Sequence, residues 1–248
     1  SSDLAHNGQL PTDVYVTFAN TGKERLETLD FVHEIEMRWA VNVPWLEYRD
    51  KDNVCVEVDY YTASRNGEPF EAIIQRKQFL PNPVTRYCTT WLKIEPMRRF
   101  MRKQGLKHWD SVIGIRADEP NRVSRLRNRN EPHEDILLPL ADASVTQRMV
   151  MEFWANQPFD LQLEPHEGNC DLCMLKGAQK LISIMRRRPD LAQWWIAQEN
   201  RPLSSSPNGA LFRKDRPCYE ELLQSIEDQP TLFNLNGIDE MAECYCHD

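Results

Sequence analysis

Residues 14–19 are a short β-branched and aromatic run, Val14, Tyr15, Val16, Thr17 and Phe18 before Ala19, that stops at Asn20-Thr21-Gly22. From Glu24 the period changes: Leu26, Leu29, Val32, Ile35 and Trp39 recur at three- and four-residue spacing, while Glu27, Asp30 and Glu34 fall on the opposite face. A buried strand that enters a turn and then an amphipathic helix satisfies both patterns. The alternation continues. Residues 43–48 and 54–60 read as strands, 69–77 as a short helix, and 95–104 as a firmer one with Pro96 in its first turn and Gly105 just past its end. Residues 111–116 and 136–140 read as further strands. Strands separated by helices predict an α/β fold with a mostly parallel sheet and helices on both faces, in which ligands gather at the carboxyl ends of strands.

From Ser144 the pattern turns helical, with Val145, Met149, Phe153 and Trp154 on one face. It is irregular over residues 158–169, helical again over 174–187 and 192–199, and loop-like over the Ser-, Pro- and Asn-rich residues 200–209. The chain therefore divides into an α/β domain over 1–143 and a mostly helical, cysteine-bearing part over 144–248. No internal repeat is present.

With 248 residues, 41% of them hydrophobic and 27% charged, the chain has enough apolar surface for a sizeable core and is neither a fibrous repeat nor a disordered tail. Its apolar runs are too short to span a bilayer and its N-terminus carries no secretory signal pattern, so the expectation is a cytoplasmic protein with no membrane partner. A net charge of -8 opposes indiscriminate nucleic-acid binding. Positive residues are nonetheless clustered, as Arg122, Arg125, Arg127 and Arg129 and as Arg186, Arg187 and Arg188; the second cluster suits a helix end.

Seven cysteines in such a chain point to metal or redox chemistry rather than a disulfide framework. Cys55 and Cys218 are isolated and read as small buried hydrophobes. Cys170 and Cys173 form a C-x-x-C, which brings two sulfurs within reach of one metal centre, and Gly168, Asn169 and Gly177 leave the backbone open around them. Cys244 and Cys246 form a C-x-C. Arg116 directly follows a strand, where a planar guanidinium suits phosphate or sulfate, with Arg122 and Arg125 placed to extend the grip. The competing reading pairs these arginines with Asp118 and Glu119 in a surface network.

Taken in order, the motifs resemble the phosphoadenosine phosphosulfate (PAPS) reductase family, in its cluster-containing branch and its adenine-nucleotide alpha-hydrolase-like (PP-loop) fold. The likeness runs over residues 14–176. It comprises the strand ending at Thr21-Gly22 with Glu27-Thr28 on the next helix; Cys88-Thr89-Thr90-Trp91-Leu92-Lys93-Ile94-Glu95-Pro96-Met97, similar to C-C-x-x-x-K-x-x-P-L; Gly114-Ile115-Arg116 with Arg122; Pro139-Leu140-Ala141-Asp142; and Cys170-x-x-Cys173. Glu243-Cys244-Tyr245-Cys246-His247 resembles the reductases' terminal E-C-G-L-H. Two departures stand out. The phosphate loop S-G-G-x-x-S/T is not found before the first strand, so either it lies upstream of Ser1, the reading favoured here, or the chain does not cradle a phosphate. Tyr87 stands where the tandem Cys-Cys has its first cysteine.

The resemblance implies an enzyme that binds an adenine nucleotide (PAPS, APS or ATP) through Thr21, Gly22, Glu24, Lys93, Gly114, Arg116 and Arg122. It implies a 4Fe-4S cluster, with zinc as the alternative, on Cys88, Cys170, Cys173 and Cys246. Cys244 is then the catalytic thiolate, attacking the sulfur of an adenylylated sulfate to leave a thiosulfonate that a thioredoxin-type reductant resolves. The alternative within the same fold is an ATP pyrophosphatase-type sulfur transferase that adenylates and thiolates a nucleic acid, transfer RNA or the DNA backbone.

Overall fold

The computed structural model describes residues 13–50, 54–164 and 167–228. Strand β1 (Phe18–Asn20) leads into helix α1 (Leu26–Trp39) and returns as β2 (Trp45–Arg49), which lies parallel to β1 with Phe18 opposite Trp45. This is a strand, crossover helix and strand unit, and Leu29 on α1 is buried against Val41, Val43, Trp45 and Ala63. Strand β3 (Val54–Val58) pairs antiparallel with β2, because residues 50–53 are too few for the crossover that a parallel neighbour needs.

Helix α2 (Glu68–Lys77) follows, and then a helical turn, Tyr87–Thr89, runs through a π-helical stretch, Thr90–Ile94, into α3 (Glu95–Lys103). Strand β4 (Trp109–Val112), helix α4 (Pro120–Arg127) and strand β5 (Glu134–Leu137) form a second parallel crossover unit whose sheet is separate from the first. The architecture is thus mixed α/β with one three-stranded and one two-stranded sheet among the described residues, rather than the one larger, mostly parallel sheet expected from the alternation. The short β2–β3 connection and the division into two sheets account for the difference. Arg98 of α3 ties the second sheet on, with Glu131 and Glu134 each 2.5 Å away.

Short helix α5 (Pro139–Asp142) and α6 (Gln147–Ala155) precede the cysteine loop, and α7 (Ala178–Arg187), α8 (Ala192–Glu199) and α9 (Tyr219–Asp228) follow it. Leu181, Ile184 and Met185 of α7, Trp195 of α8 and Tyr219 and Leu222 of α9 share one core with Tyr48, Phe70, Ile73, Ile74 and Leu92. The largest core therefore draws on residues from both sides of position 143. No helix among the described residues is long and apolar enough to cross a membrane.

Residues 200–209 do form a loop, yet it is anchored: Ser204 donates to Gln78 Oε1 through N at 3.1 Å and Oγ at 2.8 Å, and Ser205 Oγ to Gln78 O at 2.6 Å. Beyond it, buried Glu199 accepts hydrogen bonds from Phe212 N at 3.2 Å and Tyr219 N at 2.9 Å, which fixes the approach to α9. Burial pushes the Glu199 carboxyl above the ordinary glutamate range, the two backbone donors opposing it. The folded state thus holds this proton more tightly than the unfolded chain does. Its contribution to stability is complete below the ordinary glutamate pKa and is lost as pH rises through the raised folded value. Denaturant titrations from about pH 4 to about pH 8 should show wild type losing stability over that interval relative to Glu199→Gln. Parallel pH profiles for the two proteins would refute the assignment.

Candidate functional site

Strand β1 ends in a turn that the protein holds by buried polar contacts. Asn20 Nδ2 donates to Glu47 Oε1 at 2.6 Å and to Ser64 O at 2.8 Å, while Asn20 Oδ1 accepts Gly22 N at 3.0 Å. Glu47, fully buried on β2, also accepts Ser64 N at 2.6 Å and Ser64 Oγ at 2.8 Å and pairs with Arg49 at 2.6 Å, so its charge is compensated inside the protein. Thr21 donates through both N and Oγ1 to Glu24 Oε2, each at 2.8 Å. The other oxygen of Glu24 faces Lys93 Nζ at 3.6 Å.

The cysteine loop is docked on this turn. Arg25 N donates to Asn169 O at 2.7 Å and Asp171 N to Lys23 O at 2.9 Å, with a β-bridge between Glu24 and Cys170. Lys23 Nζ lies 2.8 Å from Asp171 Oδ2, and Arg25 NH1 lies 3.4 Å from Glu167 Oε1, which also meets Arg187 at 2.8 Å. Asp171 Oδ1 accepts from Leu172 N at 2.6 Å and from the Trp195 indole at 2.8 Å. Buried Lys176 donates to Cys170 O at 2.5 Å, and the Tyr219 hydroxyl to Leu172 O at 2.6 Å. The Cys170 and Leu172 carbonyls and both oxygens of Asp171 thus have named partners, while buried Glu24 Oε1 accepts no hydrogen bond among the described residues and faces the Lys93 ammonium.

Cys88 sits on the turn that opens the π-helical stretch, a wider winding common where a side chain must be aimed at a site. The preceding residue, Tyr87, has its hydroxyl engaged by the backbone. The hydroxyl donates to Phe79 O at 2.5 Å, and burial, helped by neighbouring Cys88, raises the phenol well above its usual range. Thr21, Cys88, Lys93, Cys170 and Cys173 line one mainly apolar cleft. It measures about 450 Å³ with its mouth included, but the interior is narrow, admitting little more than a water molecule. Among the described residues no three His, Cys, Asp or Glu side chains approach closely enough to grip a single metal ion. Cys244 and Cys246 lie outside the described residues.

The second group of sequence candidates lies elsewhere. Gly114, Arg116 and Arg122 follow β4 and are not part of the cleft lining. Arg116 Nε donates to Asp118 Oδ1 at 2.9 Å and Arg116 N to Glu119 Oε2 at 3.1 Å; Arg122 pairs with Glu119, whose side chain is only 4% exposed. Arg127 meets Asp142 at 2.5 Å and Arg129 meets Glu131 at 2.6 Å. For Arg116 and Arg122 the pairing with Asp118 and Glu119, the competing expectation, is the arrangement present. Motif and spacing alone do not single out Glu47, Lys23, Asp171 or Lys176. Only the last two carry a signal, as the inner acid and the following lysine of Cys170-Asp171-Leu172-Cys173-Met174-Leu175-Lys176.

Among curated proteins the chain is similar to the "Uncharacterized nin region protein ORF290" of Escherichia phage lambda, with 30% identity over 178 residues, 68% of this chain and 59% of that protein. The chain thus spans about 59% of the relative's length. No protein-family model matches the chain, and no solved structure does.

Proposed function

We propose that the protein is a PAPS reductase-like enzyme of sulfur metabolism that binds an adenine nucleotide, carries an iron–sulfur cluster and reduces an adenylylated sulfate with a thiol. One observation carries this reading: Cys88 and the Cys170/Cys173 pair, far apart in sequence, line the same cleft as Thr21 and Lys93 at the carboxyl end of β1. Zinc bound by thiolates at about 2.3 Å needs sulfurs nearly in contact, whereas a cuboidal cluster takes each thiolate on a different iron and so accepts wider spacing. Cys88, Cys170 and Cys173 would supply three thiolates to the cluster and Cys246 a fourth, and the narrow interior of the cleft would have to widen to admit it. When bound, the cluster adds electron capacity and charge beside the substrate.

The chain's own groups do the remaining work. Lys93, oriented by Glu24, offers an ammonium to sulfate oxygens, and the Thr21–Gly22 turn borders the nucleotide. The Cys244 thiolate forms a sulfur–sulfur bond as the sulfur–oxygen bond breaks and the nucleotide leaves with the electron pair. A thiolate of the thioredoxin-type reductant then attacks Cys244, expelling sulfite and leaving a mixed disulfide, which the reductant's second thiol resolves. Arg127 and Arg129 of the basic cluster are paired with Asp142 and Glu131, which favours this reading over thiolation of a nucleic acid. Protein purified without oxygen should bind iron and absorb in the visible, and with phosphoadenylyl sulfate and reduced thioredoxin it should release sulfite. Pyrophosphate released from ATP instead would transfer the assignment to the sulfur transferases, and inertness to both would remove the enzymatic reading.

A further inference from the structure

The turn after β1 and the cysteine loop are separate in sequence but interlocked in space. Two backbone hydrogen bonds, a β-bridge and two buried ion pairs join residues 21–25 to residues 167–171. Lys23 and Asp171 are the centre of this joint. Their side chains are 6% and 4% exposed, their charged atoms stand 2.8 Å apart, and the lysine ammonium also lies 4.9 Å from the Trp194 ring centre. Asp171 is the residue after Cys170, and its second oxygen is held by the loop's own Leu172 amide and by Trp195. A movement of Lys23 therefore has to be answered by the aspartate between the two thiols, because a buried charge that loses its partner has no solvent to replace it.

We propose that Lys23 and Asp171 are positioning residues that set the Cys170 and Cys173 thiols from the β1 turn, so that a nucleotide seated on the turn is felt at the thiols. The positional part stands without the reaction proposed above. The response to a nucleotide rests on that reading. Packed pairs with one buried arrangement transmit displacement rather than absorb it, and the coupling is reciprocal: ligand on the turn tightens the loop as much as the loop tightens the turn.

The test is the alkylation rate of each cysteine in the full chain, free of iron and read by peptide mass mapping, with Cys55 and Cys218 as internal references. A lone Lys23→Met strands a buried carboxylate and is expected to unfold the chain in part. The double variant Lys23→Met/Asp171→Asn removes both charges while keeping an oxygen for Leu172 and Trp195, and so preserves the fold. In that variant Cys170 and Cys173 should react about tenfold faster than in wild type, with the references nearly unchanged, whereas Lys23→Arg should stay near the wild-type rate. Unchanged rates at Cys170 and Cys173 in the folded double variant, or equal acceleration at all cysteines, would overturn the positioning role. Phosphoadenylyl sulfate should slow alkylation of the pair in wild type and lose that effect in the double variant. Binding measured by equilibrium dialysis separates the failure of the coupling from the failure of the proposed function. No binding to wild type removes the nucleotide, and the variants' alkylation rates alone then decide the positioning role; binding with no protection of the pair overturns the coupling.

Discussion

Cys88→Ser should remain folded and lose at least about tenfold in iron retained after anaerobic reconstitution, while Cys55→Ser and Cys218→Ser keep the wild-type content. The fold survives because Cys88 is half-buried at the edge of the core, where a hydroxyl of similar size leaves packing intact. Iron goes because a serine hydroxyl does not ionise near neutral pH and is a poor partner for iron in a sulfur-rich centre. The contrast with the other thiols has its own cause. Burial and the carboxylate of Glu57 push Cys55 up to about 11, and burial also raises Cys218, so both give up the proton less readily than an ordinary thiol where a ligand must be a thiolate. Neither lines the cleft of Cys88. Iron analysis and visible absorption of the three variants decide the matter. Full iron in Cys88→Ser would remove Cys88 from the ligand set and with it the observation on which the proposed function stands.

Local signals in the chain are readable, and partnered ones less so. Helix α8 occupies residues 192–199, the range its apolar pattern marks, and α3 stops at Lys103 just before Gln104 and Gly105. Both ends follow from side-chain periodicity and capping, which need no distant partner. Strands do need one. β1 is confined to Phe18–Asn20 although the apolar run begins at Val14, because β2 is opposite it only from Trp45 to Glu47. β4 likewise sits at Trp109–Val112, earlier than the 111–116 run, since its length is set by pairing with Glu134–Leu137. Helix α9 is not among the elements expected from the sequence: its position depends on Glu199 capturing the Tyr219 amide and on the Tyr219 hydroxyl reaching Leu172. The cleft divides in the same way. Cys88, Cys170 and Cys173 are nameable from type and spacing, and the acids beside Arg116 are its chain neighbours. The Lys23–Asp171 pair and the Asn20–Glu47–Ser64 network join residues whose proximity exists only once the crossover unit and the cysteine loop have packed.

Gly67→Ala should be strongly damaging, lowering unfolding free energy by about 2–5 kcal/mol. Gly67 has φ 87°, in the left-handed region, where a side chain costs about 1–2 kcal/mol. An added Cβ would also fall 2.4 Å from Trp194 Nε1, 2.6 Å from Trp194 Cε2 and 2.9 Å from Lys23 Cδ. Trp194 has little room to retreat, since its ring packs 5.2 Å from Phe70 and 5.1 Å from Trp195, centre to centre. The overpacking contributes a further 1–3 kcal/mol, on the order of other core insertions. Gly105→Ala isolates the backbone share: φ is 85°, yet nothing lies within 4 Å of the new carbon. Denaturant unfolding of both variants should show Gly105→Ala losing only the smaller amount, with the difference measuring the clash at the indole. That clash also reaches the site, because the displaced indole is the one beneath Lys23 and next to the tryptophan that holds Asp171. Equal losses in the two variants would mean that Trp194 yields freely, and the wall behind the Lys23–Asp171 joint would be softer than its packing implies.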